Sequence, residues 1–284
     1  MHIHWFPGHM TKAQRMIREQ LKLIDVVIEL LDARIPLSSA NPMIAELVEG
    51  KPKVVALNKA DLADSARTAE WVSYFRNMGF ATAILDSASG KGTKELVNKV
   101  EKEASEKIAK LTAKGIKGRA VRAMILGIPN VGKSSLINRL IGTATAKTGD
   151  KPGVTRGQQW LTVGKNLELL DTPGVLWPRM DDQEVAFKLA VTGAIKDDIY
   201  DMEKVILNLL EILTAQYSDR LCERYKLTPD QLSEDTMELL SLIGAKRGCL
   251  RSGGIVDCEK VRRIILTDFR SGKLGKFTLD IPNN

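Results

Sequence analysis

The sequence has little cysteine. Its 284 residues hold three, Cys222, Cys249 and Cys258, all in the last third and none in a Cys-x-x-Cys spacing. That argues against a zinc site and a disulfide framework, and it fits a reducing, cytoplasmic setting. No apolar run approaches the roughly 20 residues that span a bilayer, so no membrane partner is expected. The stretch from Met1 to His9 has no basic segment followed by an apolar one, which argues against secretion. There is no internal repeat and no low-complexity tract. What remains, 44% hydrophobic and 27% charged, is the composition of a soluble globular chain with room for one large domain or two ordinary ones.

Acidic residues are the scarcer charge: the formal net charge is +7. The excess is clustered. Lys102, Lys107, Lys110, Lys114 and Lys117 precede Arg119 and Arg122. A second group runs through Lys246, Arg247, Arg251, Lys260, Arg262, Arg263, Arg270, Lys273 and Lys276. Such clusters attract phosphate backbones over long range, although a basic stretch can also be only a solvated face.

Strand and helix patterns alternate over the first 178 residues. Met10, Ala13, Ile17, Leu21 and Ile24 recur at helical spacing behind Thr11, a natural N-cap. Apolar runs at Val26–Leu31, Val54–Leu57, Thr82–Leu85 and Val121–Leu126 read as buried strands. Helices are predicted over 64–78, 93–113 and 133–141, with Gly79, Gly115 and Gly118 as breakers. Residues 159–163 and 167–170 flank Gly164-Lys165-Asn166 as a hairpin. The expected fold class is α/β, with a mostly parallel sheet over residues 1–178. From 179 to 284 helical periods dominate and predict a smaller all-helical domain. Strand-like alternation returns only at Phe277–Asp280.

The chemistry begins at Gly127-Ile128-Pro129-Asn130-Val131-Gly132-Lys133-Ser134, which matches G-x-x-x-x-G-K-[ST] between a strand and a helix. Glycines let the backbone wrap a phosphate, and the amides of Asn130, Val131, Gly132, Lys133, Ser134 and Ser135 can bind the anion. Lys133 offers a charge to the β- and γ-phosphates, and the Ser134 hydroxyl a ligand to Mg²⁺. Asp171-Thr172-Pro173-Gly174 ends an apolar strand. Asp171 can hold a Mg²⁺-bound water and the Gly174 amide can sense the γ-phosphate. Thr155, between the two motifs, can complete the Mg²⁺ shell or be a plain loop threonine.

Upstream lies Asn58-Lys59-Ala60-Asp61. The Asp61 carboxylate can accept from N1–H and the exocyclic amine of guanine, which adenine does not offer, so GTP and GDP are the expected ligands. Asn58 braces that loop, the Lys59 stem covers the ring, and Ser87-Ala88-Ser89 offers a backbone N–H to the base oxygen. The base-reading motif therefore precedes the phosphate loop, an inverted order that marks a circularly permuted GTPase domain. The inversion also joins the Asp171–Gly174 stretch almost directly to the helical region.

With Trp5-Phe6-Pro7-Gly8-His9-Met10 and Asp32-Ala33-Arg34 added to these motifs, the whole chain resembles the bacterial ribosome biogenesis GTPase A family. The resemblance implies GTP hydrolysis, binding to an immature large ribosomal subunit through its rRNA and proteins, and release on hydrolysis by a monomeric factor. It departs from many GTPases after Gly174, where Val175 and Leu176 stand in place of a water-positioning glutamine. Intrinsic turnover should then be slow. His9, in a Pro/Gly-containing segment, is a candidate to handle the water, as the resemblance also implies; the other reading makes it a surface or RNA-contacting residue. Asn130 occupies the place at which similar GTPases ligate K⁺. Arg34 can supply a transition-state charge or pair with Asp32. The rival functions are an RNA-modification or transport factor driven by GTP, and a slow signalling or metabolic module.

Overall fold

The computed structural model describes residues 7–116, 118–143, 160–170, 172 and 182–282, with side chains from Gln14 onward except that of Thr143. Two compact units divide the chain: one runs to Arg179 and takes the chain back from Thr278, and the other spans Met180–Phe277. The expected division placed everything after 178 in the helical part, so the return of the last segment is a difference.

In the first unit, α1 (Pro7–Leu21) leads to β1 (Val26–Asp32), α2 (Pro42–Leu47), β2 (Lys53–Asn58), α3 (Ser65–Asn77), β3 (Ala81–Ile84), α4 (Thr93–Ala113), β4 (Val121–Leu126), α5 (Lys133–Thr143), β5 (Trp160–Val163) and β6 (Leu167–Leu170). The sheet order is β3-β2-β1-β4-β6-β5. All neighbours are parallel except β5 with β6. From β1 the chain proceeds outward through β2 and β3, and α4 then carries it to the other side of β1. The order reverses between β1 and β4, and open α/β sheets bind ligands outside the carboxyl ends of the strands at such a place.

Every residue of β1 is buried, as a central parallel strand covered on both faces requires. Ile17, Leu21 and Ile24 pack with Val27, Met124 and Leu126, and Trp71, Val72 and Phe75 of α3 pack with Leu31, Val55 and Leu57; the strand register puts both clusters on one face of the sheet. Glu29 is buried mid-strand, and a lone carboxylate there would be costly. Lys53 of β2 pairs with it at 2.6 Å and lies 4.2 Å from the Phe80 ring centroid.

Two local expectations change, and one helix was not expected. The first helix starts at Pro7, so Thr11 lies inside it rather than at its cap. Proline's fixed φ suits a first helical turn, where its missing N–H goes unneeded. Helix α2 has only six residues, too few for a visible period, and relies on Asn41 Oδ1 accepting from Met43 N at 3.0 Å. Phe277–Asp280 joins no sheet. Thr278, Leu279 and Asp280 instead bond to loops of the first unit.

The second unit holds α6 (Gln183–Thr192), α7 (Met202–Gln216), α8 (Ser218–Tyr225), α9 (Thr236–Lys246) and α10 (Cys258–Arg270). Asp182, Asp201 and Asp235 each cap the helix that follows through its first backbone amides. Leu209, Leu210, Leu239, Ile243, Val261 and Phe269 are buried. The one carboxylate buried on α10, Asp268, takes a fork from Arg224 at 2.9 and 2.8 Å. Among the described residues no helix is long and apolar enough to cross a membrane.

Candidate nucleotide site

Five parallel strands end on the same edge of the sheet, and the sequence motifs sit on the loops that leave them. Asp32–Ser39 follows β1, Asn58–Asp61 follows β2, Asp86–Lys91 follows β3, Gly127–Gly132 follows β4, and Thr172 follows β6. Motifs in inverted sequence order are thus brought to one edge.

Asn58 is the hub. It is buried. Its Nδ2 donates to Val131 O at 2.8 Å, inside the phosphate loop. Its Oδ1 accepts from Ser87 N at 3.0 Å and from Ser87 Oγ at 2.7 Å. One amide therefore ties together the Asn58–Asp61 loop, the loop after β3 and the phosphate loop. The packing explains two glycines. A Cβ on Gly127 would meet Leu30 O at 2.6 Å. One on Gly132, with φ at +103°, would meet Asn58 Nδ2 at 2.3 Å. Lys133 is buried and donates from Nζ to Gly127 O at 3.0 Å and Ile128 O at 2.8 Å, so the loop's own carbonyls hold its ammonium.

Two side-chain-bearing residues of the site are left-handed: Lys59 at φ 60° and Asn130 at φ 57°. Such a conformation costs roughly 1–2 kcal/mol, least for asparagine, so Lys59 needs a reason. Its Nζ lies 3.0 Å from Asp32 Oδ2. Asp32 also takes a fork from Arg34, at 2.9 Å from Nε and 2.7 Å from Nη2. Burial pushes the Asp32 pKa up, but the charges of Arg34 and Lys59 outweigh it and hold the carboxyl well below the usual range. This decides between the two readings of Arg34. Its side chain is 2% exposed, so it is the structural partner of Asp32.

Asp61, Ala88, Ser89 and Asn130 are exposed on these loops, and Ser134 and Ser135 are exposed in the first turn of α5. Thr155, Asp171 and Gly174 lie outside the described residues, as does the His9 side chain; the backbone of His9 belongs to α1. Sequence reasoning missed two contributors. Thr172 is buried and its Oγ1 donates to Ile125 O, which fastens the stretch after β6 to β4 just ahead of the phosphate loop. Arg139 of α5 donates to Ala88 O. Sequence reasoning quoted Thr172 in its motif without giving it a part, and passed over Arg139, because each works by a contact to backbone.

The basic clusters divide. Arg119 and Lys107 converge on buried Asp25, at 3.2 and 2.7 Å. Burial raises the Asp25 pKa; the Lys107 hydrogen bond, the Arg122 amide and both cations together bring it below its ordinary value. Arg122 pairs with Glu168 at 2.9 Å and stands 4.8 Å from the Trp160 ring centroid. Arg119 and Arg122, expected to help hold RNA, are thus engaged internally. Within the second unit, a cleft of about 780 Å³ is lined by Arg220, Arg224, Lys226, Lys246, Arg247 and Lys273, alongside Asp219 and Glu223. Arg247, Lys273 and Lys276 have no ion-pair partner among the described residues.

A family model for 50S ribosome-binding GTPases matches residues 122–240. Ribosome biogenesis GTPase A of Bacillus cereus is 52% identical over 282 residues, covering 99% of this chain and 95% of the relative. Its counterpart in Bacillus pumilus is 51% identical and covers 100% of both. The chain belongs to the ribosome biogenesis GTPase A family. A solved GDP-bound YlqF structure has a TM-score of 0.66 at 25% identity and covers 95% of this chain and 100% of that one. The GNP-bound YlqF of Thermotoga maritima gives 0.63, also at 25%, covering 96% and 99%. Both structures are named for a guanine nucleotide or its analogue.

Proposed function

We propose that this family member hydrolyses GTP to GDP and phosphate, binds the immature large ribosomal subunit in its GTP state during a late assembly step, and is released by hydrolysis. The observation that carries the nucleotide part is the Asn58 hub, which places Asp61 and Lys133 on loops that share one buried amide. The base would lie by Asp61, Lys59 and the Ser87–Ser89 loop, and the phosphates over Asn130–Ser135.

The donors suit Mg²⁺, a hard cation that prefers oxygen. Ser134 stands exposed in the first turn of α5, and Thr155 and Asp171 would add a hydroxyl and a water-mediated carboxylate. Bound there, the ion would neutralise charge on the β- and γ-oxygens. Asn130, left-handed and exposed, is the proposed K⁺ ligand. Because Val175 and Leu176 follow Gly174 and cannot orient water, turnover is slow until the ribosomal partner arrives, with His9 handling the water.

The basic cleft of the second unit supports a phosphate-backbone partner, here rRNA, with ribosomal proteins beside it. The factor acts as a monomer in the cytoplasm. GTP turnover with and without purified large subunits, in K⁺ and in Na⁺ at equal ionic strength, tests the scheme. Stimulation by subunits, greater in K⁺, absent in Lys133→Ala and reduced in His9→Ala, is expected. Equal turnover with and without subunits contradicts it.

A further inference from the structure

We propose that the returning segment Thr278–Asp280 positions the guanine-reading loop, making Asp280 a specificity-determining residue. The inference rests on reading Asn58–Asp61 as the guanine site.

Asp280 is buried, and its carboxylate takes two hydrogen bonds from Ser38: Oδ2 accepts from Ser38 N at 2.7 Å and Oδ1 from Ser38 Oγ at 2.8 Å. Its backbone carbonyl accepts from Trp71 Nε1 at 3.2 Å. Leu279 N donates to Arg34 O at 2.7 Å. Thr278 Oγ1 accepts from Asp64 N at 3.2 Å and donates to Ala33 O at 3.4 Å. These bonds fall on two places, the loop after β1 and helix α3 with its cap.

Both places border the reading loop. On one side, Ser39 Oγ accepts from Asp32 N at 3.0 Å, and Asp32 holds Lys59 through its ammonium. On the other, Asp64 caps α3 through Ala66 N and Arg67 N, three residues beyond Asp61. The segment thus bridges the two supports between which Asn58–Asp61 is strung. The phosphate loop has its own support from β4 and Asn58, and the returning segment does not touch it among the described contacts. Loosening the bridge should blur base recognition and spare phosphate binding.

The test compares GDP, IDP and pyrophosphate on the full chain. IDP lacks the exocyclic amine that Asp61 would read. In the wild type GDP should bind more tightly than IDP. Asp280→Ala strands a buried Ser38 N–H and should weaken GDP about tenfold, one charged hydrogen-bond acceptor's worth. IDP should weaken less, so the GDP-to-IDP ratio falls, and pyrophosphate should be unaffected. Asp280→Asn, which keeps one acceptor oxygen, should recover part of the ratio. Ser38→Ala, which deletes only the hydroxyl, should shift it less in the same direction. An unchanged ratio in Asp280→Ala, or equal weakening of all three ligands, overturns the positioning role. A wild type that binds GDP and IDP alike overturns the guanine reading itself.

Discussion

Asn58 Nδ2 donates to Val131 O at 2.8 Å although the two residues are 73 positions apart. The bond joins the Asn58–Asp61 loop to the phosphate loop that follows it in the chain. Asn58→Ala would leave Val131 O and Ser87 N without their partner in a buried setting. Each such loss costs about 1–3 kcal/mol, and even the lower bound for the two together lowers GDP affinity by more than about tenfold. Titration with a fluorescent GDP derivative measures it. Retention of affinity within about twofold would show that the hub is dispensable.

Gly132 should tolerate no side chain. Its φ is left-handed, a Cβ there would collide with the Asn58 amide, and that amide is itself held at both ends. Gly132→Ala is expected to abolish measurable GDP binding while circular dichroism reports an intact fold. Binding at wild-type strength would mean that the loop relaxes freely.

Asp32 should give the first unit an acid limit. Its folded pKa is depressed, so its contribution to stability is fully present above the unfolded value, about 3.9. It is lost as pH falls from there toward the lower folded value. Asp32→Asn strands Arg34 and Lys59 beside a neutral group, and breaking a buried pair costs about 3–5 kcal/mol. The variant should melt well below wild type at pH 7, and the gap should narrow below about pH 4. A gap that stays constant into acid would remove the charge from the explanation.

Much of this was legible in the sequence because the signals are local. Buried parallel strands read as short apolar runs, and α4 and β4 fall on the predicted spans. The hairpin was announced by Gly164-Lys165-Asn166. The phosphate loop announces itself because backbone wrapping needs those residue types at fixed spacing, and Asn58–Asp61 stands out by its place after an apolar strand. Contacts between distant backbone groups were not legible. Thr172 on Ile125, Arg139 on Ala88 and Asp280 on Ser38 have no spacing to betray them. The alternation at Phe277–Asp280 did mark an extended segment, but its partners are loops rather than a strand. The charge count misled over Arg119 and Arg122, since composition does not say that Asp25 and Glu168 await them.

RNA binding should separate these two sets of basic residues. Reversing Arg247, Lys273 and Lys276 to glutamate should weaken binding to rRNA fragments and flatten its salt dependence. The slope of log affinity against log salt should lose about 0.7–0.9 for each phosphate contact removed. Arg119→Ala and Arg122→Ala should lower the melting temperature and leave that slope unchanged. The opposite pattern would move the RNA surface to the first unit.

The assembly role is tested most directly by co-sedimentation with immature large ribosomal subunits through a sucrose cushion, in a non-hydrolysable GTP analogue and in GDP. With the analogue the protein should pellet with the subunits, and with GDP it should stay in the supernatant. Equal pelleting in both nucleotides, or none in either, would contradict a GTP-dependent assembly factor released by hydrolysis.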